Sequence, residues 1–441
     1  VRLAGGALRR EPGPGCATLA ALLCVAGCAQ RDAASDDVER FVSGDTTIVR
    51  NRSPAGLWGD TMTLDVELEI GTLDGPPETT FGRVVSVTAR DDGSILIIDA
   101  QGPEVREFDA NGSFLRRLGG AGDGPGEYRR PAMLRAMRDG STVLVDGAGR
   151  LHRYARDGTP LGSWLIPYLR ASFWITADSA HVYVPIFLLP ATGQPPAPGN
   201  VRYGYVRLGP DGEALDTMPA GGWVEEVDGQ TRLYVSGGDH TKDNFTTRRH
   251  AIIDARGRMV SGQSDSYRLD VTSQDAVLRI ERVGAAPPIV EEEMREWRAH
   301  VDFLMARRAA SLASLPPEAA PMFGPEPWLP ESPTKPFFRS IFPGEEGRIW
   351  VHRYVRAVKE PASPEPRDPE RAPPITWREP NHFDVFEPDG TFLGTVVVPD
   401  RYLLFAWRGD MVWGVHYGEL DVPFVFRARL VAQTSTAGDS R

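Results

Sequence analysis

Lysine is nearly absent: Lys242, Lys335 and Lys359 are the only three in 441 residues, and arginine carries almost all the positive charge. Nucleic-acid binding needs a basic stripe, and so does adhesion to an anionic membrane face. A chain with a net charge of −11 and no such stripe is a poor candidate for either. The arginine excess is read as coding bias rather than as a set of phosphate ligands. Cysteine is equally sparse. Cys16, Cys24 and Cys28 are the only ones, so beyond residue 28 there is no disulfide framework and no thiolate metal site. No apolar run reaches the ~20 residues of a membrane-spanning helix. The run 16–27 in front of Cys28 is too short to span a bilayer. Helical periodicity is confined to 287–315. That stretch opens with Glu291, Glu292 and Glu293, closes with Arg307 and Arg308, and carries Met294, Trp297, Val301, Leu304, Met305 and Leu312 at helical spacing.

What the chain does have is repetition. A short apolar strand recurs at 95–99, 143–146, 182–185, 259–262, 349–352 and 412–415, each time followed by a strand rich in aromatics. Tight Asn-Gly or Asp-Gly turns come next, at 109–112, 155–158, 209–212 and 387–390. Five copies hold four strands; the copy from Tyr402 to Leu430 holds three, and an unclaimed strand stands upstream at 64–71. A unit of this size cannot bury its own apolar face and must stack on its neighbours. Joining the upstream strand to the last copy closes a ring and removes the open sheet edge. The expectation is therefore an all-β fold, a six-bladed β-propeller closed by an N-terminal strand, with one helical insertion. Its blades run 83–119, 131–166, 172–219, 248–283, 337–398 and 402–430 plus 64–71. A β-sandwich, two smaller β-domains, or a ring of five or seven blades are the alternatives. Residues 285–336 form a helical and proline-rich insertion, read as either a packed appendage or a lid; 188–200 and 358–380 are further loops.

The N-terminal run ends in Val25-Ala26-Gly27-Cys28, which resembles the lipobox of bacterial lipoproteins. The resemblance implies a signal peptide over 1–27, cleavage before Cys28, and acylation (palmitate among the chains) of that residue. Ala29 after the cysteine points to the outer membrane, on its periplasmic or surface face. Residues 28–60 then read as a tether, 61–431 as the propeller and 432–441 as a disordered tail. The segment 112–131, with its Gly-rich link, Gly-Glu-Tyr and a proline opening the next copy, resembles the junction of NHL-type repeats. Together with Asp99, Arg106 and Phe108 it is similar to bacterial lipoproteins described as six-bladed β-propellers. That resemblance implies fold and envelope location, and no reaction.

Propeller ligands are usually met at the axis by the innermost strands. The polar residues expected there are Ser86, Thr88, Arg135, Thr176, His250, Asp254, Arg339 and Ser340. Arg135, His250 and Arg339 make the axis basic and are the candidate ligand-binding set. One aspartate does not supply the several carboxylates a calcium site needs. The eight histidines lack metal-ligand spacing, and no nucleophile elbow or Walker loop occurs. His352 and His416 end equivalent strands, where a two-histidine metal site is conceivable and ordinary rim residues are the simpler reading. No catalytic residue, metal or cofactor is expected. Two functions follow: a lipid-anchored binding or scaffold module for a protein, peptide or glycan, or an envelope hydrolase or lyase acting on a sugar, lactone or peptide at the axis. Convergent axial carboxylates would favour the second.

Overall fold

A computed structural model of the chain describes residues 37–166, 175–188, 202–219, 225–227, 230–232, 245, 247–273, 276–313, 332–361, 371–418 and 420–433. The leader at 1–27, Cys28, residues 189–200, residues 314–331 of the insertion, residues 362–370 and most of the expected tail lie outside these residues.

The described residues form a β-propeller; three four-stranded sheets, one six-stranded sheet and one eight-stranded sheet together hold six sets of four antiparallel strands, numbered here as units one to six. In units one to five the antiparallel order follows the chain, beginning at Val84–Ala89, Pro131–Ala136, Thr176–Ala177, Arg249–Ile253 and Phe338–Pro343. Unit six takes Tyr402–Arg408, Met411–Tyr417 and Pro423–Ala432 from the C-terminal region, and its outer strand, Met62–Ile70, from the N-terminal region. That strand pairs antiparallel with Pro423–Ala432, from Met62 opposite Ala432 to Ile70 opposite Val425.

The second strands of units one and two are buried along their whole length because neighbours cover both of their faces. In Ile95–Asp99 every residue is buried. Ile95 and Ile97 pack towards unit six, with Trp413 and Val425; Leu96 and Ile98 pack towards unit two, with Leu134 and Leu144. Four further clusters fill the junctions two–three, three–four, four–five and five–six. Each unit thus buries its faces only against its two neighbours. The outer strands meet solvent and alternate accordingly, as in Pro160–Leu165. The turns obey their local chemistry: Gly112, Gly158, Gly212 and Gly390 hold φ of 83°, 90°, 74° and 88°.

Three expectations need correction. Residues 38–51, read as part of a tether, form a hairpin of Val38–Ser43 and Thr46–Asn51. Its second strand pairs in parallel with Val277–Arg282 and widens unit four to six strands. Buried Asn51 fixes it, donating to Gly390 O at 3.0 Å and accepting from Phe392 N at 2.8 Å. The helix spans Glu291–Ala313, with no basic residue in its last turn and no continuous apolar face against the ring. Among its described side chains only Glu293 and Met294 are buried; Trp297 is half-buried and Leu304 exposed. The reason is that polar contacts hold the helix. Lys335 Nζ lies 2.6 Å from Glu293 and 2.9 Å from Glu379, and Glu296 accepts from Thr376 N at 2.7 Å. The third correction concerns the axis.

Candidate functional site at the ring axis

Two cavities meet on the axis. One, of about 340 Å³, lies where the inner strands end and is lined from all six units, among them Arg90, Arg135, Asp178, Ala255, Glu345 and Arg408. The other, of about 480 Å³, lies where the inner strands of units one, two and six begin. Arg135 and Phe405 line both, so they form the partition between them.

The inner strands aim side chains at the axis by bulging. The pairing register skips one residue between Val84 and Ser86, Pro131 and Met133, Phe338 and Ser340, and Leu404 and Ala406. A bulge leaves its extra residue unpaired and re-aims it. The skipped residues are Val85, Ala132, Arg339 and Phe405; Val85, Ala132 and Phe405 line the start-side cavity. Ser86 and Thr88, expected at the axis as polar groups, line the start-side and end-side cavities respectively and also stitch the units. Their hydroxyls accept from Leu134 N at 3.1 Å and Ala136 N at 3.4 Å.

The three basic candidates are not brought together. Arg135 faces both cavities. Its one hydrogen bond among the described residues is from Nη1 to Leu134 O, 3.1 Å. Enclosure pushes its guanidinium down to about 10, opposed by the Glu345 carboxylate, and leaves it cationic at neutral pH. Arg339 is the bulge residue of unit five, but it pairs with Glu379 at 2.8 Å, lies over Tyr354, and lines neither cavity. His250 is buried beside Phe338, with ring centroids 5.3 Å apart, and also lines neither. Alternation predicted their strands correctly; packing between units decided where they point. Asp254 caps its own turn, accepting from Arg256 N and Arg258 N, both at 2.9 Å.

The end-side cavity has matched charges. Arg408 donates to Glu345 at 2.6 Å and to the carbonyls of Ala89 and Arg90, both at 2.8 Å, clamping unit six to unit one. Arg90 is buried against Glu107 and donates to Thr142 at 2.9 Å, clamping unit one to unit two. Burial works to raise the Asp178 carboxyl, but hydrogen bonds from Tyr183 (2.6 Å), Ala180 N and His181 N (2.7 Å each) hold it low. Glu345 goes the other way: burial raises it above 4.5 in spite of Arg408 and Arg135. None of Glu345, Arg408, Asp178 and Phe405 stood out in the sequence. For Glu345, Arg408 and Asp178 the signal available was their place at the end of an inner strand or beside the turn after it, legible only once the copies are aligned; Phe405 lies mid-strand and offered none. Among the described residues no cluster of three or more His, Cys, Asp or Glu could hold a metal. His352 stacks on Phe383 at 4.5 Å, and His416 stacks on Tyr402 at 4.9 Å while meeting Glu69 at 2.6 Å.

No family model matches the chain, and no curated protein matches it. Among solved structures it is similar to a "putative exported protein" from Bacteroides fragilis, at 10% identity and a TM-score of 0.47, over 87% of this chain and 99% of that one. A catalytically inactive virginiamycin B lyase from Staphylococcus aureus, solved with quinupristin, gives 11% and 0.36 over 83% of this chain and 100% of its own. The Pan2 WD40 domain of Neurospora crassa gives 6% and 0.33 over 83% and 95%. Neither ligand nor reaction follows from likeness at this level.

Proposed function

We propose that the protein is a lipid-anchored binding module of a bacterial cell envelope, with NHL-like repeats, which takes an anionic ligand at the ring axis. The observation that carries this is Arg135, a cation at the meeting point of two cavities, whose guanidinium keeps most of its five donors for a guest. The other charged side chains of the end-side cavity are largely committed to clamping the units. Thermal-shift measurement against a panel of small carboxylates, amines and neutral analogues tests the reading. Stabilisation by carboxylates that disappears in Arg135→Met supports it; equal responses in wild type and variant overturn it.

One observation favours the hydrolase or lyase reading. Glu345, close to Arg135 and Arg408, has its carboxyl raised by burial, the direction in which a general acid is shifted. Asp178, the other enclosed carboxylate, is fully engaged by Tyr183 and backbone donors, so no second acid or base converges on the same point.

A further inference from the structure

We propose that the start-side cavity is a binding site for an acyl-type monocarboxylic acid. Its carboxylate pairs with Arg135, and its chain lies between Val85, Met133 and Phe405. The proposal rests on the reading of the axis as an anion site and names the ligand class.

Four observations carry it. The lining includes three arginines, Arg83, Arg130 and Arg135, and no carboxylate, in a chain whose net charge is −11. The remaining wall is mostly apolar, because the bulges of units one, two and six turn Val85, Ala132 and Phe405 inwards. At about 480 Å³ the cavity falls in the range of small-molecule sites, roughly 300–1,000 Å³, whose usual make-up is an apolar wall with few polar anchors.

The last observation is a charge gradient along the axis. Arg83 and Arg130 hold equivalent places, each just before an inner strand, and both are exposed at the rim. The repeat fixes their backbone: Ala100 N donates to Arg83 O at 2.8 Å and Gly147 N to Arg130 O at 2.8 Å. Arg130 is held at φ 52° in front of a proline, a conformation unfavourable on both counts, and its Nη2 donates to Gly147 O at 3.0 Å. Arg135 sits five residues further in, roughly 15 Å along a strand. Two exposed cations at the rim and one enclosed cation at the base would draw an anion inwards past apolar walls. A hydrophilic anion gains nothing from Met133 and Phe405. A neutral alkyl chain offers no acceptor to Arg135, whose only hydrogen bond among the described residues is to Leu134 O. An acyl acid satisfies both.

The test is calorimetry with sodium octanoate, octan-1-ol, octylamine and glucuronate. The proteins are wild type, Arg135→Met, Ala132→Phe, which fills the start-side cavity, and Ala177→Phe, which fills the other. Octanoate is expected to saturate one site and to bind at least about tenfold more tightly than octanol or octylamine. Arg135→Met should abolish that preference, Ala132→Phe should abolish binding, and Ala177→Phe should leave it intact. If Ala132→Phe does not fold, Ala132→Val, with a smaller intrusion, should still weaken octanoate. Equal affinity for octanoate and octanol, or octanoate binding untouched by the Ala132 substitutions, overturns the proposal. Glucuronate binding that needs Arg135, with no octanoate binding, leaves the axial anion reading standing and removes the acyl acid. No binding by either acid removes both.

Discussion

Glu345 is held between opposing influences: burial raises its carboxyl above 4.5, while Arg408 and Arg135 lower it and Asp91 raises it. A carboxyl raised in the folded state takes up its proton more readily there than in the unfolded chain. Its stabilising contribution is therefore present at low pH and is lost as pH rises through the folded value. The same protonation removes a negative charge facing Arg135. Affinity for an axial carboxylate should thus increase as pH falls from neutral over the range in which the ligand stays ionised, and Glu345→Gln should flatten that slope. Identical pH profiles for octanoate or glucuronate in wild type and variant would exclude Glu345 as the titrating group. Asn51 acts through satisfaction of buried groups. Replacing it with Ala strands Phe392 N and Gly390 O, which it bonds at 2.8 and 3.0 Å. Unfolding by denaturant should register a loss of about 2–3 kcal/mol, at the upper end for an unsatisfied buried donor.

Among the elements, Met62–Ile70 is the one on which closure depends. It completes unit six and also touches unit five, where Met62 stands parallel to Val396. Deleting 61–72 opens the edge of Pro423–Ala432 and should give aggregation or a large drop in melting temperature. A truncated protein that stays monomeric and melts at the wild-type temperature would mean that closure contributes little. The helix Glu291–Ala313 depends on Lys335, whose ammonium is fully buried between Glu293 and Glu379. Lys335→Met leaves buried carboxylates without their cation and should cost ~3–5 kcal/mol. Adding Glu293→Gln should recover part of that loss. Hydrogen exchange should show the first turns of the helix losing protection in the single variant. Unchanged protection would place the anchor elsewhere.

At the scale of the whole molecule, the ring is a chain of nearest-neighbour contacts, each apolar cluster shared by two adjacent units. It offers a rigid frame around one axis, and no described helix is long and apolar enough to cross a membrane. The proposed envelope location therefore rests on the segment ahead of the ring. Cys28→Ser should shift the protein from the membrane fraction to the soluble one and remove a lipid mass from its N-terminal peptide. Retention in membranes, with no lipid on the wild type, would end the lipoprotein reading.

The sequence by itself determined the repeated four-strand unit, the turns and the strand that closes the ring. These depend on period-two patterning and on glycine and aspartate chemistry, which act within a few residues. It also placed Arg135 on an inner strand. Only the tertiary structure decided which inner-strand residues reach the axis. The skipped residues that line the start-side cavity, Val85, Ala132 and Phe405, have different side chains and share no local signature, so alternation cannot find them. It alone brought Glu379 to Arg339, turned His250 onto Phe338, and set Thr46–Asn51 in parallel against Val277–Arg282. Each joins segments far apart in the chain. Such a charge pair or strand pairing is selected by what else is buried at that point, and that is known only after the units have packed.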